Sequence, residues 1–491
     1  MTTAVVGTGL FAPAPTAPWL WTAALFTVLT LCADRLVRER LLPPRPTPAS
    51  RVSALRGDTP AVVNMLANDA TVTAAGLRAT VIDLAARGWL RILPPGDELD
   101  ELARVRPAAT AYEGDALRPH ERLVLQHVMA RFTDDRAIPA RFLAVDVRGA
   151  WWRRFRALVA DDARSSGLVA RRWHALDLVV PGMFWMLAAW STYVAWSTGD
   201  DDVAVIDSVT ERLAWIALVA VLTAVVVRTV RTLTHHEYTL TDDGVDATAR
   251  WLAVRARLDQ AGFAEMAPSA VELGDRRLAY ATAMCLAEGA AVELPLARED
   301  HHRAWSSVGG HARLVRVRYP VRPGYGMVPF VALGVGVAAC FGGLWVRRWS
   351  TNVAKGESFD WIYERFPAQE WLIADIATGV AFVATVPIVG GFLLALAGAA
   401  DGVRTVERTG LVLRTRRPAE VSPLPRRIRR LVERDRYSAY VAIDDGTRDT
   451  VVAWRTHERQ AVPQGARATV RATPVLGHVR RATPVGHRIV E

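Results

Sequence analysis

The sequence predicts a membrane protein, mainly α, with mixed α/β soluble parts. Three observations carry that expectation. Five long apolar runs divide a chain of 491 residues that is 51% hydrophobic. Arginine gathers in some of the intervening stretches and is scarce in others. Short alternating runs with turn signals fill the last part of the chain, 401–491.

A helix needs about 20 mostly apolar residues to span a bilayer. The runs lie at roughly 17–34, 176–196, 213–233, 327–346 and 371–400. The first is short and has no basic residue before it, whereas Arg35, Arg38 and Arg40 follow it. That pattern marks an anchor with a translocated amino terminus (1–36 with its span) rather than a cleaved signal. Residues 34–175 hold 23 arginines against 17 acids, and 401–491 hold 19 against 10. The loop 197–212 has five acids and one arginine. Arginine and lysine near span ends stay cytoplasmic. The expectation is therefore five spans, an outside amino terminus and cytoplasmic regions at 50–175, 234–326 and 401–491. Arg347-Arg348, just outside the fourth span, runs against it.

The formal charge is +10 and the pI near 10.1. Lys355 is the only lysine, an imbalance that fits a GC-rich genome better than phosphate recognition. Cys32, Cys285 and Cys340 lie far apart, so they define neither a disulfide framework nor a metal cage.

The soluble elements follow in order. LLPPRPTPAS at 41–50 reads as an extended spacer. Thr73 starts a helix that stops at Arg87-Gly88, and the strand 89–93 then turns at Pro94-Pro95-Gly96, the succession of a winged-helix unit. The amphipathic segment 118–132, the helix 149–165, Gly167 and the strand from Leu168 make a second such unit. YTLTDDGVDATARWLAVRARL opens a helix near Thr241, with Asp242 and Asp243 where the helix dipole favours acids. RRLAYATAMCLAEG is a broadly apolar helix, and GHARLVRVRYP alternates as a strand entering the fourth span. The runs VRTVE, GLVLRTR, YSAYVAID, DTVVAWRT, ARATV and GHVRRAT predict six strands and a small closed all-β barrel of the OB or SH3 type.

DLAARGWLRI, YTLTDDGVDATARWLAVRARL and RRLAYATAMCLAEG resemble the YciQ-like family of predicted bacterial membrane proteins (domain of unknown function 2207), the actinobacterial form above all. The resemblance covers most of 50–330 and, more loosely, 400–480. Family members commonly carry an extracellular β-domain before their first span, for which this sequence has only about 16 residues. The resemblance implies a membrane-anchored cytosolic module and imports no activity, cofactor or site residue.

The chemistry is sparse. The wing after helix 73–87 carries Asp97, Glu98, Asp100 and Glu101, which repel phosphate, so protein interaction is expected of this unit and nucleic-acid binding is not. His235-His236 and His301-His302 are adjacent pairs without the spacing that puts two ligands on one helical face. No phosphate loop or nucleophile elbow occurs, and no metal or cofactor is expected. Gly334, Ala338 and Gly342 form an i, i+4, i+8 stripe suited to helix packing within the membrane. Arg426, Arg427, Arg429 and Arg430 are candidates for contact with anionic lipid. The role that fits is a membrane-anchored interaction or regulatory platform whose partners are lipid and an unidentified protein. A component of a small-solute transporter or channel is the alternative, and an enzyme or nucleic-acid binder ranks behind both.

Overall fold

The computed structural model describes residues 46–49, 57–96, 102–108, 116–132, 136–172, 237–310, 312–320, 324–355, 370–421 and 438–485, with isolated helical positions between 179 and 190, at 223 and at 365. The expected spans at 17–34 and 213–233 therefore lie outside the described residues, apart from Thr223, and 176–196 lies mostly outside them.

Helix α1 (Pro60–Ala67) begins with proline at its first position, where no amide is needed, and all its residues are buried. The link to α2 (Ala74–Ala86) passes through Asp69 and Ala70, both with positive φ. Left-handed backbone costs a non-glycine residue about 1–2 kcal/mol. Contacts from a later strand hold it here: Arg303 donates to the Asn68 carbonyl (2.7 Å) and Arg316 pairs with Asp69 (2.9 Å). At the start of α2 the buried Asn64 side chain accepts from the Thr73 amide (2.8 Å) and donates to the Ala283 carbonyl (2.8 Å).

Helix α2 stops as its sequence implies. Gly88 takes positive φ, its amide reaches Ala85, and the Trp89 amide reaches back to Leu84 (2.8 Å). Strands β1 (Leu90–Leu93), β2 (Arg104–Pro107) and β3 (Ile138–Pro139) form an antiparallel sheet in that order, with α3 (Pro119–Met129) between β2 and β3 in the chain. The same stop recurs after α4 (Ala150–Ser165), where Gly167 has positive φ and the Leu168 amide reaches Ala163. These are the two expected helix-then-strand passages.

Strand β4 (Val169–Arg171) pairs antiparallel with β5 (Tyr238–Leu240), with Arg171 opposite Tyr238. Thr241 then caps α5 (Asp242–Gln260), its hydroxyl accepting from the Gly244 amide. Helices α6 (Arg277–Ala283) and α7 (Glu288–Glu293) follow, divided at Cys285, another residue with positive φ. One hydrophobic core runs from Ala61 to Ala297, so stretches 57–172 and 237–297 make a single helical body. LAYATAM lies inside that core, with Leu278, Ala279, Tyr280 and Met284 buried.

Strands β6 (Arg303–Ser306) and β7 (Arg313–Arg318) form a hairpin that leads to two long helices. Helix α8 (Pro329–Ala354) is about two turns longer than the apolar run that marks it. The fifth run forms α9 (Glu370–Val383) and α10 (Thr385–Val403), with a break at Ala384. Pro387 accounts for the break, since it offers no amide to the Val383 carbonyl and its ring crowds that turn. Among the described residues, 329–354 and 372–403 are long and apolar enough to cross a membrane.

The last region contains β8 (Val406–Arg416), β9 (Ser438–Asp444), β10 (Thr450–Val452), β11 (Trp454–His457), β12 (Arg467–Ala472) and β13 (Val479–Pro484). Five of these form a sheet in the order β11-β9-β8-β12-β13, and a parallel bridge from Arg455 to His478 links β11 to the approach to β13. Two expectations change. Only Val406 and Glu407 of VRTVE are strand, and they run on without a break into GLVLRTR, where Gly410 passes against the Asp444 carbonyl with no room for a Cβ. DTVVAWRT splits, β10 leaving the sheet to pair in parallel with β7.

This β-domain is fixed to the base of the helical pair. Asp401, fully buried near the end of α10, accepts from the Val475 and Leu476 amides. On the other side, Gly326 donates to the Leu476 carbonyl (2.7 Å) and the Tyr325 hydroxyl to that of Ala453 (2.8 Å). One loop, 473–478, thus holds the entry to α8 and the exit from α10.

Candidate functional site

A cleft of about 620 Å³ lies where the helical body, the β6–β7 hairpin and β8 meet. The first turn of α2 and the α6–α7 link form one wall, and Arg303 to Ser307 and residues of β8 form the other. The burial pattern of each element explains what it presents. Along α5, Trp251, Arg255 and Leu258 follow one another on the core side, which carries an arginine inward. Along β8, Leu413 is buried while Arg414 and Arg416 reach the cleft edge.

Arg255 is 6% exposed. It donates to the Met284 carbonyl (3.2 Å) and lies 4.3 Å over the Trp305 ring. Burial lowers its pKa from the usual arginine value, Cys285 and Asp259 opposing that at longer range. Arg78 pairs with Glu299 at 3.0 Å. Burial acts to raise Glu299, but Arg78, Arg414 and Arg416 together outweigh it and hold the carboxyl below its ordinary range. Arg414 donates to the Arg303 carbonyl (3.2 Å), and its buried Nε has no partner. Arg416 reaches His301 Nδ1 (3.3 Å). Burial and the flanking arginines push His301 down to about 4.

Cys285 lies deep within the outline of the chain, yet its surface opens onto the cleft. Burial pushes its thiol pKa up, against the opposing pull of Arg78 and Arg255. The cleft offers guanidinium groups and an aromatic wall, which is recognition chemistry.

Residues 54–294 match the family model described as predicted membrane protein (DUF2207) C-terminal domain. This match supports the DUF2207 family and its description as a membrane protein of unknown function. No curated protein and no solved structure matches the chain. The DUF2207 match spans the helical body, so Arg78, Arg255 and Cys285 lie within it, whereas Glu299, Trp305 and Arg414 lie beyond it.

Of the residues singled out by sequence, Arg426, Arg427, Arg429 and Arg430 lie outside the described residues, as do Asp97, Glu98, Asp100, Glu101, His235 and His236. Among the described residues, Gly334, Ala338 and Gly342 are exposed on α8, and a Cβ added at either glycine would meet nothing within 4 Å. The stripe therefore takes no part in the packing of α8 against α10, and the first three apolar runs lie wholly or mostly outside the described residues. The seam uses Gly336 and Gly343 against Gly391 and Gly398, two pairs with the same seven-residue spacing. A Cβ on Gly336 would come within 2.5 Å of the Ala395 nitrogen, and one on Gly398 within 2.6 Å of the Leu333 nitrogen. The matched spacing was visible in the sequence, and so was Arg255 on an otherwise apolar helical stripe. The partnership of α5 with β8 was not.

Proposed function

We propose that the protein is a membrane-anchored cytosolic interaction or regulatory platform with five spans and an outside amino terminus. The observation that carries this reading is the pairing of β4 with β5. The chain leaves the helical body at Arg171 and returns beside it at Tyr238, so the apolar runs 176–196 and 213–233 cross as a pair or not at all. The ends of α8 and α10 beside loop 473–478 give the same relation for the last two spans. Two such excursions keep the helical body and the β-domain on one side, and arginine content makes that side cytoplasmic.

The helix-then-strand units support winged-helix-like modules, and strand order together with the Arg455–His478 bridge supports an OB-like barrel. Every residue of α2 is buried, so this helix is not available to a DNA groove, and recognition falls to other surfaces. Arg426, Arg427, Arg429 and Arg430 would rest on anionic lipid, each contributing about 1 kcal/mol. The outward Gly334, Ala338 and Gly342 would face the bilayer. Because loop 473–478 contacts both the paired helices and the β-domain, a displacement in the membrane would reach β8 and the cleft directly.

In-cell photo-crosslinking tests the platform reading. A photoreactive residue at Val292 or Gln464, at the cleft, should yield a discrete protein adduct that is absent with the same residue at Phe330 on α8. No protein adduct from either cleft position, together with solute flux in vesicles reconstituted with the full chain, would support the transport alternative instead.

A further inference from the structure

We propose that the cleft between the helical body and β8 binds a small organic phosphomonoester, with the phosphate held by Arg255 and Arg414. The inference rests on the cleft alone and is independent of the topology proposed above.

Charge pairing supplies the first part of the argument. Arg78 has Glu299, and Arg303 has Asp300 at 3.6 Å. Arg255 and Arg414 have no acidic side chain within ion-pair distance among the described residues, although Asp259 and Glu288 also line the cleft. Arg255 is more than nine-tenths buried, and the Nε of Arg414 is buried without a hydrogen bond. Taking a guanidinium out of water with no carboxylate in direct contact is costly, and Asp259 and Glu299 reach Arg255 and Arg414 only at longer range. Both residues line the same cleft, as does Cys285.

The number of charges points to the ligand class. Two unpaired guanidiniums are matched by a dianion, and a phosphomonoester carries about −1.5 to −2 at neutral pH, whereas a carboxylate carries one charge. Guanidinium also fits phosphate through paired, parallel hydrogen bonds. The first turn of α2, at Ala74 and Ala75, lines the same cleft, and a helix start favours an anion nearby.

Size and lining account for the organic part. A cleft of about 620 Å³ is far larger than an inorganic phosphate and lies within the range of small-molecule sites. Trp305, Leu286, Leu314, Leu411 and Leu413 supply an apolar wall for a ring or short carbon frame.

The test uses the full chain in detergent, with phenyl phosphate, adenosine monophosphate and glycerol phosphate as probes and benzoate and inorganic phosphate as comparisons. Binding is read by calorimetry and by the thermal shift of the unfolding midpoint. At least one phosphomonoester should bind at about millimolar or better, and at least about tenfold more tightly than benzoate or inorganic phosphate. Arg414→Gln should weaken that binding by about tenfold or more. Arg255→Lys keeps the charge but loses the fork and should also weaken binding, whereas Arg448→Gln, on an exposed turn, should not. Failure of all three phosphomonoesters to bind would overturn the proposal. So would unchanged binding in the Arg414→Gln chain, or equal affinity for benzoate.

Discussion

His120 shows how a single residue couples this fold to pH. Its side chain is fully buried between α3 and α4, edge-on to Phe155 and 3.8 Å from Asp162. Burial, with Arg118 and Arg87 adding to it and Asp162 opposing it, pushes its pKa down to about 4. The folded chain therefore keeps His120 neutral, while the unfolded chain takes up a proton below about 6.5. Stability from this group is complete above pH 6.5 and is lost as pH falls from there towards 4, by up to about 3 kcal/mol. His301, also at about 4, acts in the same direction. Thermal unfolding of the full chain between pH 7.5 and 4.5 should show a falling midpoint, and His120→Leu should flatten that slope. An equally steep slope in the variant would assign the pH dependence to other groups.

At the scale of elements, the seam between α8 and α10 makes a sharp distinction among glycines of one helix. Gly336→Ala drives a methyl into the backbone at Ala395, which cannot rotate away, and should destabilise the helical pair by about 1–3 kcal/mol. Gly334→Ala and Gly342→Ala meet no atom of the described residues within 4 Å and should be neutral or slightly stabilising, by up to about 1 kcal/mol. Unfolding in detergent followed by tryptophan fluorescence separates these outcomes, and equal losses at all three positions would refute the seam. Asp401 supports a second expectation. Asp401→Ala strips the Val475 and Leu476 amides of their charged acceptor and should cost about 2–4 kcal/mol of local stability, read as faster hydrogen exchange at those two amides.

The whole molecule was legible in the sequence wherever the determinant was local. Arg87-Gly88 and Ser166-Gly167 mark helix stops because a left-handed residue is needed within one turn of the helix end. VRTVE and GLVLRTR read as two separate runs, whereas Gly410 makes a close approach inside one strand, β8, a feature set by Asp444 on another strand. The pairing of β7 with β10, and that of β4 with β5 across the apolar runs between them, joins segments far apart in sequence, and no local pattern records which edges meet. The cleft inherits that difficulty, since its arginines come from α2, α5, β6 and β8 and each alone reads as an ordinary basic residue.

The central claim is that the helical body and the β-domain share the cytoplasmic side, joined by paired membrane excursions. Single cysteines at positions 201, 360 and 448 of a chain with Cys32, Cys285 and Cys340 replaced by serine test it most directly, with a membrane-impermeant maleimide applied to intact cells. Positions 201 and 360 should be labelled from outside, and position 448, on the exposed turn after β9, only after the membrane is opened. Labelling of position 448 in intact cells, or protection of both 201 and 360, would contradict the account.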